Sequence, residues 1–179
     1  MEKFDKDVVK VLVSQEEIAL KVKELGEKIT ADFAGEDSLI VVGLLKGSIL
    51  FMSDLIREIK LPIKIDFMTV SSYGNQKETS REVKIVKDLE ENIIGKNVLI
   101  VEDIIDSGLT LNKILEILKA REPKTLKLAT FLNKPSRREV NVKIDYNGYD
   151  IPDEFVVGYG LDYAQNYRNL SYVGILKGE

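Results

Sequence analysis

The stretch Val98-Leu99-Ile100-Val101-Glu102-Asp103-Ile104-Ile105-Asp106-Ser107-Gly108-Leu109-Thr110 decides the fold of this chain. Its first four residues form an unbroken apolar run, which predicts a strand buried on both faces, as in a parallel sheet. Two acids and two more apolar residues follow. A small polar segment then leads into a helix marked by Leu111, Ile114, Leu115 and Leu118. This order of strand, acidic pair, loop and helix predicts an α/β unit whose loop lies where open sheets bind ligands.

The loop after this strand has the composition of a phosphate site. Ser107, Gly108 and Thr110 offer backbone amides and hydroxyls, and the first turn of the next helix adds unpaired N–H groups and the positive end of its dipole. The neighbouring carboxylates would repel a phosphate unless a hard cation such as Mg²⁺ bridges them. The loop matches neither G-x-x-x-x-G-K-[ST] nor G-x-G-x-x-G, so an ordinary ATPase or dinucleotide site is not supported. A plainer alternative is an exposed strand end with a capping Asp or Ser.

Composition restricts the possible chemistry. The 179 residues are enough for one domain with a sizeable core, and the net charge of −4 gives no general attraction to nucleic acid or anionic membranes. The chain has no cysteine and no histidine, which excludes disulfides, thiol nucleophiles, Ser-His-Asp triads and histidine-based zinc sites. Carboxylates, lysines, tyrosines and a bound metal remain. Because no segment is typical of a signal peptide or a membrane span, we expect a cytoplasmic enzyme or binding protein.

Strand and helix patterns alternate along the chain. Residues 8–13 predict a strand, and the capping box Ser14-Gln15-Glu16-Glu17 predicts the start of a helix that ends near Gly35. Residues 39–42 and the alternation from Ile63 to Phe67 predict two further strands. The pattern predicts a single α/β domain with a doubly wound, mainly parallel sheet flanked by helices.

The polar segment from Ser71 to Glu82 interrupts this alternation. Loops this long inside a compact domain are usually functional or disordered. The segment precedes the central strand closely, so it is either a lid over an active site or the tip of a surface hairpin. Composition does not distinguish the two.

The central stretch resembles the motif that binds phosphoribosyl diphosphate (PRPP) in type I phosphoribosyltransferases: apolar residues, two acids, apolar residues, Asp, Ser or Thr, Gly, any residue, Thr. The segment from Phe155 to Asn169 resembles the C-terminal part of the hypoxanthine-guanine phosphoribosyltransferases. Further matches in that family's order are Leu44-Leu45-Lys46-Gly47, Ser72-Tyr73 and Lys134. The resemblance covers about Val8 to Val173, and its one departure is Leu109, where some relatives carry Lys.

The resemblance implies a fold, an activity and partners. The expected fold has a core of about residues 14–140 and a small hood from about residues 1–13 and 141–179. The expected reaction transfers the 5-phosphoribosyl group of PRPP to N9 of hypoxanthine or guanine, giving IMP or GMP and pyrophosphate in purine salvage. Mg²⁺ is the expected cofactor, and a homodimer or homotetramer that binds neither nucleic acid nor membrane is the expected assembly.

The resemblance also assigns residue roles. Asp106 is the expected general base or acid at purine N7. The residues expected to bind the phosphoribosyl group are Glu102, Asp103, Asp106, Ser107, Gly108, Leu109 and Thr110. Pyrophosphate is expected to bind Lys46, Gly47 and Arg168, and the purine is expected to bind Lys134, Phe155, Val156 and Asp162. The expected Mg²⁺ ligands are Glu102, Asp103 and, for a second ion, Asp162, while Ser72 and Tyr73 belong to the lid. In this family the peptide before the residue equivalent to Lys46 is typically cis.

Each of these residues also has a plainer interpretation. Phe155 alone would be a core residue, Lys46, Lys134 and Arg168 would be solvated charges, and Asp162 would be a turn residue. Two other functions compete at the level of the whole chain. One is a regulator that keeps the PRPP-binding fold and binds RNA or DNA, which the negative charge and lack of an added domain disfavour. The other is a phosphoribosyltransferase for adenine or xanthine.

Overall fold

The computed structural model describes residues 5–73 and 82–177. The helices of these ranges are α1 (Gln15–Asp32), α2 (Ile49–Glu58), α3 (Leu109–Lys119) and a 3₁₀ turn at Pro135–Arg137. The strands are β1 (Val8–Val13), β2 (Leu39–Leu44), β3 (Ile63–Tyr73), β4 (Glu82–Lys87), β5 (Asn97–Ile105), β6 (Thr125–Asn133), β7 (Tyr146–Asp150), β8 (Val156–Val157) and β9 (Val173–Leu176). None of the helices in these two ranges is long and apolar enough to cross a membrane.

The main sheet has six strands in the order β4-β3-β2-β5-β6-β7. The four pairings among β3, β2, β5, β6 and β7 are parallel, and β4 is antiparallel to β3. The side chains of β2 and of the first half of β5 are all buried, as the unbroken apolar runs predicted. The predicted doubly wound, mainly parallel fold is therefore confirmed.

Helices cover both faces of this sheet because successive side chains of a strand point to opposite sides. On one face, Val41 and Leu99 pack with apolar side chains of α1 and α2. On the other face, Val42 and Ile100 pack with those of α3. The segments at the carboxyl ends of β2, β5 and β6 meet at one edge of the sheet, where Gly47 lies against Asp103 and Lys134 lies beside Asp106.

A second, antiparallel sheet in the order β1-β9-β8 joins the two ends of the chain and forms the predicted hood. Its boundary differs from the expected one, because β7 pairs with β6 in the main sheet, so the C-terminal hood segment begins after Asp150. Tyr159 ties the hood to α2 through a 2.8 Å hydrogen bond from its hydroxyl to Asp54 Oδ2. Gly160, at φ +102°, lies directly against the Gly47 carbonyl: a Cβ atom there would come within 2.0 Å of that oxygen.

The segment 71–82 is partly strand, contrary to the expected loop. β3 continues through Tyr73, and β4 begins at Glu82, paired directly opposite it. Pairing with a neighbouring strand, which a polar local sequence does not signal, explains the difference. Residues 74–81 of the predicted lid lie outside the described residues, so the lid and the roles of Ser72 and Tyr73 stay predictions.

Candidate active site

The candidate site lies where β2, β5 and β6 end beneath the hood. A cavity of about 580 Å³ opens there, within the range typical of small-molecule sites. Its lining includes predicted residues from β5, the phosphate loop, the end of β6 and the hood, namely Asp103, Asp106, Lys134, Phe155, Val156 and Asp162. The parallel sheet brings these sequence-distant residues together because its strands all end at one edge.

The predicted phosphate loop, residues 106–110, forms a tight turn into α3. Gly108 takes the left-handed conformation, with φ +81°, and caps the helix. The Ser107 carbonyl accepts hydrogen bonds from Glu139 N at 3.0 Å and Val140 N at 3.4 Å. These bonds hold the loop against the segment that follows the 3₁₀ turn. The N-terminus of α3 thus directly follows this turn, and its unpaired amides and positive dipole end suit an anion.

Arg138 lies behind this loop, and sequence analysis missed it. A Cβ atom at Gly108 would lie 3.0 Å from Arg138 Nη1. That nitrogen is buried and has no hydrogen-bond partner among the described residues, while Nη2 donates to Asn133 Oδ1. Burial lowers the pKa of Arg138 from its usual value. Arg138 is the second of two consecutive arginines, and that basic pair was the available signal, but nothing in the sequence places it beneath Gly108.

The acidic pair lies near the end of β5, where both side chains are half-buried. Burial, followed by the negative charge of Asp103, raises the pKa of Glu102 well above its usual range. Burial also raises the pKa of Asp103 to about 6, although Ile104 N donates to Asp103 Oδ1 at 2.9 Å. Two adjacent, poorly solvated carboxylates favour a nearby cation.

These acids fit Mg²⁺ in donor type. In the ranges that the structure describes, no three acidic side chains lie close enough to hold a metal by themselves. Mg²⁺ usually takes one or two carboxylates and completes its shell with water and substrate phosphates, so a pair of acids suffices. The oxygens of Asp162, predicted for a second ion, already contact Arg168 Nη2 at 2.7 Å and Gln165 N at 2.7 Å. Its role as a ligand stays a prediction.

The residues predicted to bind pyrophosphate meet between β2 and the hood. The peptide bond between Leu45 and Lys46 is cis, as the resemblance implied. Gly47 packs against the Asp103 carboxylate, where a Cβ atom would come within 1.7 Å of Oδ2. Arg168 donates to the Gly160 carbonyl at 2.7 Å and is mostly buried, unlike a solvated surface charge.

Lys134 is also no surface charge. Only 6% of it is exposed, and its Nζ lies 3.3 Å from Asp106 Oδ1 and 3.9 Å from Asp153 Oδ1. Arg137 Nη1 donates to the same Asp153 Oδ1 at 3.2 Å. Charges thus alternate from Arg137 through Asp153 and Lys134 to Asp106, and Asp153 and Arg137 are members that sequence analysis missed.

Phe155 lies at the mouth of the cavity and not in the core. Its side chain is 54% exposed, and it meets the 48% exposed Tyr163 edge to face, with ring centroids 5.7 Å apart. Large exposed aromatic groups beside a polar cavity are typical of ligand contacts. The next residue, Val156, is buried in β8 and lines the same cavity.

Comparisons with known proteins show which family the chain belongs to. The family described as the phosphoribosyl transferase domain matches residues 9–164. Hypoxanthine phosphoribosyltransferase of Salmonella typhimurium is 57% identical over 94% of this chain and 96% of its own length. Hypoxanthine-guanine phosphoribosyltransferase of Bacillus subtilis is 52% identical over 96% of this chain and 94% of its own.

Solved structures give the same result. A hypoxanthine phosphoribosyltransferase from Staphylococcus aureus superimposes with a TM-score of 0.94 at 49% identity, covering 98% of this chain and 95% of its own. A hypoxanthine-guanine phosphoribosyltransferase from Bacillus anthracis gives 0.91 at 50% identity over 95% and 99% of the two chains. The fold is that of a type I phosphoribosyltransferase. Within that class, the chain belongs to the hypoxanthine(-guanine) phosphoribosyltransferase family of purine-salvage enzymes, as its sequence predicted.

Proposed function

We propose that this chain transfers the 5-phosphoribosyl group of PRPP to N9 of hypoxanthine or guanine, releasing pyrophosphate. Its relatives carry the names of enzymes for these two bases. The observation that carries the residue assignment is the buried Lys134 beside Asp106, in one cavity with Asp103 and the exposed Phe155. A fixed cation and a carboxylate at this spacing suit the oxygen at C6 and the nitrogen at N7 of one purine ring.

Lys134 and Asp106 divide the recognition of the base. Since a lysine ammonium only donates, Lys134 binds the 6-oxo group. Asp106 accepts the N7 proton as the N9–C1′ bond forms and the bond from C1′ to the pyrophosphate oxygen breaks. Phe155 stacks on the ring, and the backbone of Val156 contacts its edge.

The phosphates of PRPP are divided between two loops. Residues 106–110 and the first turn of α3 bind the 5′-phosphate through backbone amides and hydroxyls. Lys46, Gly47 and Arg168 bind the pyrophosphate, and Glu102 and Asp103 bind the ribose hydroxyls. The acidic pair would hold one Mg²⁺ and Asp162 a second, and these ions, when bound, would neutralise the leaving group's charge.

Three further parts of the proposal rest on the sequence and the family alone. The segment 71–82 closes as a lid, the chain assembles as a homodimer or homotetramer, and the enzyme acts in the cytoplasm. A lid would exclude water from a reacting ribosyl centre that water could otherwise attack.

A turnover screen tests the proposed function. The purified chain is mixed with PRPP, Mg²⁺ and one of hypoxanthine, guanine, xanthine or adenine, and nucleotide formation is followed by absorbance. We expect rapid formation of IMP or GMP. Comparable turnover of adenine would favour the competing assignment of another base, and PRPP binding without turnover of any base would favour a regulator.

A further inference from the structure

Gln165 lies between the two cations assigned to pyrophosphate. Lys46 Nζ donates to Gln165 Oε1 at 3.3 Å. Arg168 Nη2 donates to the same oxygen at 3.4 Å. Lys46 belongs to the loop after β2 and Arg168 to the hood, so one amide oxygen joins the two halves of the pyrophosphate site.

The backbone of the turn that carries Gln165 has an unusual conformation that orients its side chain. Its φ is +67°, and Ala164 and Tyr167 also have positive φ, at +48° and +72°. Non-glycine residues rarely adopt this region and keep it only where their surroundings hold them there. Gln165 N donates to Asp162 Oδ2 at 2.7 Å, which supplies part of that hold.

The contacts of Gln165 Oε1 are of a kind that a ligand can replace. Both are longer than the usual 2.7–3.2 Å for N–H···O hydrogen bonds, and the acceptor is neutral. A pyrophosphate oxygen is charged, and charge-assisted hydrogen bonds are shorter and about twice as strong. An oxygen of pyrophosphate would therefore displace the amide oxygen at a small cost in free energy. It would then bind two cations that Gln165 already holds close together.

We propose that Gln165 is a positioning residue that holds Lys46 and Arg168 together in the free enzyme and gives up its place to a pyrophosphate oxygen when PRPP binds. This inference rests on the proposed function, because that function places pyrophosphate between the two cations. A carboxylate at position 165 would instead form two ion pairs and repel the ligand. The neutral amide is therefore the feature under test.

The experiment compares Gln165→Glu and Gln165→Met with the control Asn166→Asp. Asn166 is exposed in the same turn, and its amide donates to the Ala164 carbonyl at 3.2 Å instead of facing the cations. Binding of pyrophosphate with Mg²⁺ is measured by calorimetry. We expect Gln165→Glu to weaken it about ten-fold, because two exposed ion pairs must be broken first. Gln165→Met, which keeps the length but loses the acceptor, should weaken it about three-fold, and Asn166→Asp less than about two-fold.

Steady-state kinetics separate positioning from mere structural damage. In Gln165→Glu the KM for PRPP should rise by about the same ten-fold factor, while kcat and the KM for hypoxanthine stay near wild type. Unchanged pyrophosphate binding in Gln165→Glu, or equal weakening in Asn166→Asp, overturns the proposal. Failure of the wild type to form IMP would overturn the proposed function instead, and it would leave the calorimetric comparison intact.

Discussion

Gly47 lies so close to Asp103 that a single methyl group would not fit between them: a Cβ atom on Gly47 would come within 1.7 Å of Asp103 Oδ2. Gly47 lies in the loop after β2 and is assigned to pyrophosphate, whereas Asp103 lies in the neighbouring parallel strand β5 and is assigned to ribose and metal. In the proposed site, this contact sets the spacing between the residues assigned to the two parts of PRPP.

Gly47→Ala should therefore lower the catalytic efficiency of the enzyme with PRPP. Either the Asp103 carboxylate or the loop must shift by an ångström or more, and displacements of that size cost about 10²-fold in rate. We expect kcat/KM for PRPP to fall by about that factor while the far-ultraviolet circular dichroism spectrum stays native. The control is Gly95→Ala, just before the amino end of β5, where a Cβ atom meets nothing within 4 Å and the φ of +64° strains the backbone without touching the cavity. Equal kinetic loss in both variants would contradict the relationship.

Asp106→Asn should lower kcat with little change in the KM for PRPP. The amide keeps the size of the carboxylate but does not take up a proton, and general acid–base groups contribute about 10²–10⁴-fold. Initial rates with saturating hypoxanthine give kcat directly. Asp153→Asn changes the second carboxylate near Lys134 and should act mainly on the KM for the base. A kcat near wild type in Asp106→Asn would remove the proposed role.

Lys134→Ala should reduce the preference for 6-oxopurines over adenine. The 6-amino group of adenine would face a buried donor, and a site built to bind one group can reject its analogue by about 10²-fold or more. The measurement is kcat/KM for hypoxanthine, guanine and adenine. Lys127→Ala, at the other end of β6 where the lysine pairs with Asp32, should leave the ratio unchanged. An unaltered ratio in Lys134→Ala would show that another residue selects the base.

Turnover should require Mg²⁺ or Mn²⁺. Pyrophosphate and the pair Glu102 and Asp103 would repel each other without a cation, and these hard oxygen donors suit such ions. Excess chelator should abolish product formation, and added Mg²⁺ should restore it. Calorimetry should show weaker pyrophosphate binding without the metal. Full activity in excess chelator would refute the requirement.

The stability of the fold should depend on Asp66 in a pH-dependent way. Burial alone would raise its pKa, but backbone N–H donors of Glu91, Phe67 and Glu90, together with the charge of Lys87, lower it overall. A folded-state pKa below the unfolded one adds stability that is complete above the unfolded value and is lost as the pH falls through the folded value. Asp66→Asn should therefore cost about 1–3 kcal/mol at pH 7.

Urea unfolding from pH 7 downward measures this difference. The gap between wild type and Asp66→Asn should be constant near neutrality and shrink below the ordinary pKa of an aspartate, 3.8. The exposed Glu27, changed to Gln, serves as the control with little expected effect. A gap that widens toward acid would reverse the assigned sign.

The family, the sheet and the phosphate loop follow from the sequence because their signals are local. Residues 98–110 carry strand, acids, loop and helix start in one continuous segment, and local propensity and periodicity are enough to interpret it. The order of Lys46, Lys134 and Phe155 along the chain then supports the family assignment. These predictions did not depend on any distance between atoms of the folded chain.

Only the tertiary structure decides how these pieces meet. It buries Lys134 next to Asp106, places Arg138 behind Gly108, exposes Phe155 and aims Gln165 at two cations, each through contacts between residues from different elements. It also moves β7 from the expected hood to the main sheet. Such contacts depend on strand order and on the close approach of loops, and both are set by the packing of the whole chain rather than by the preferences of any one segment.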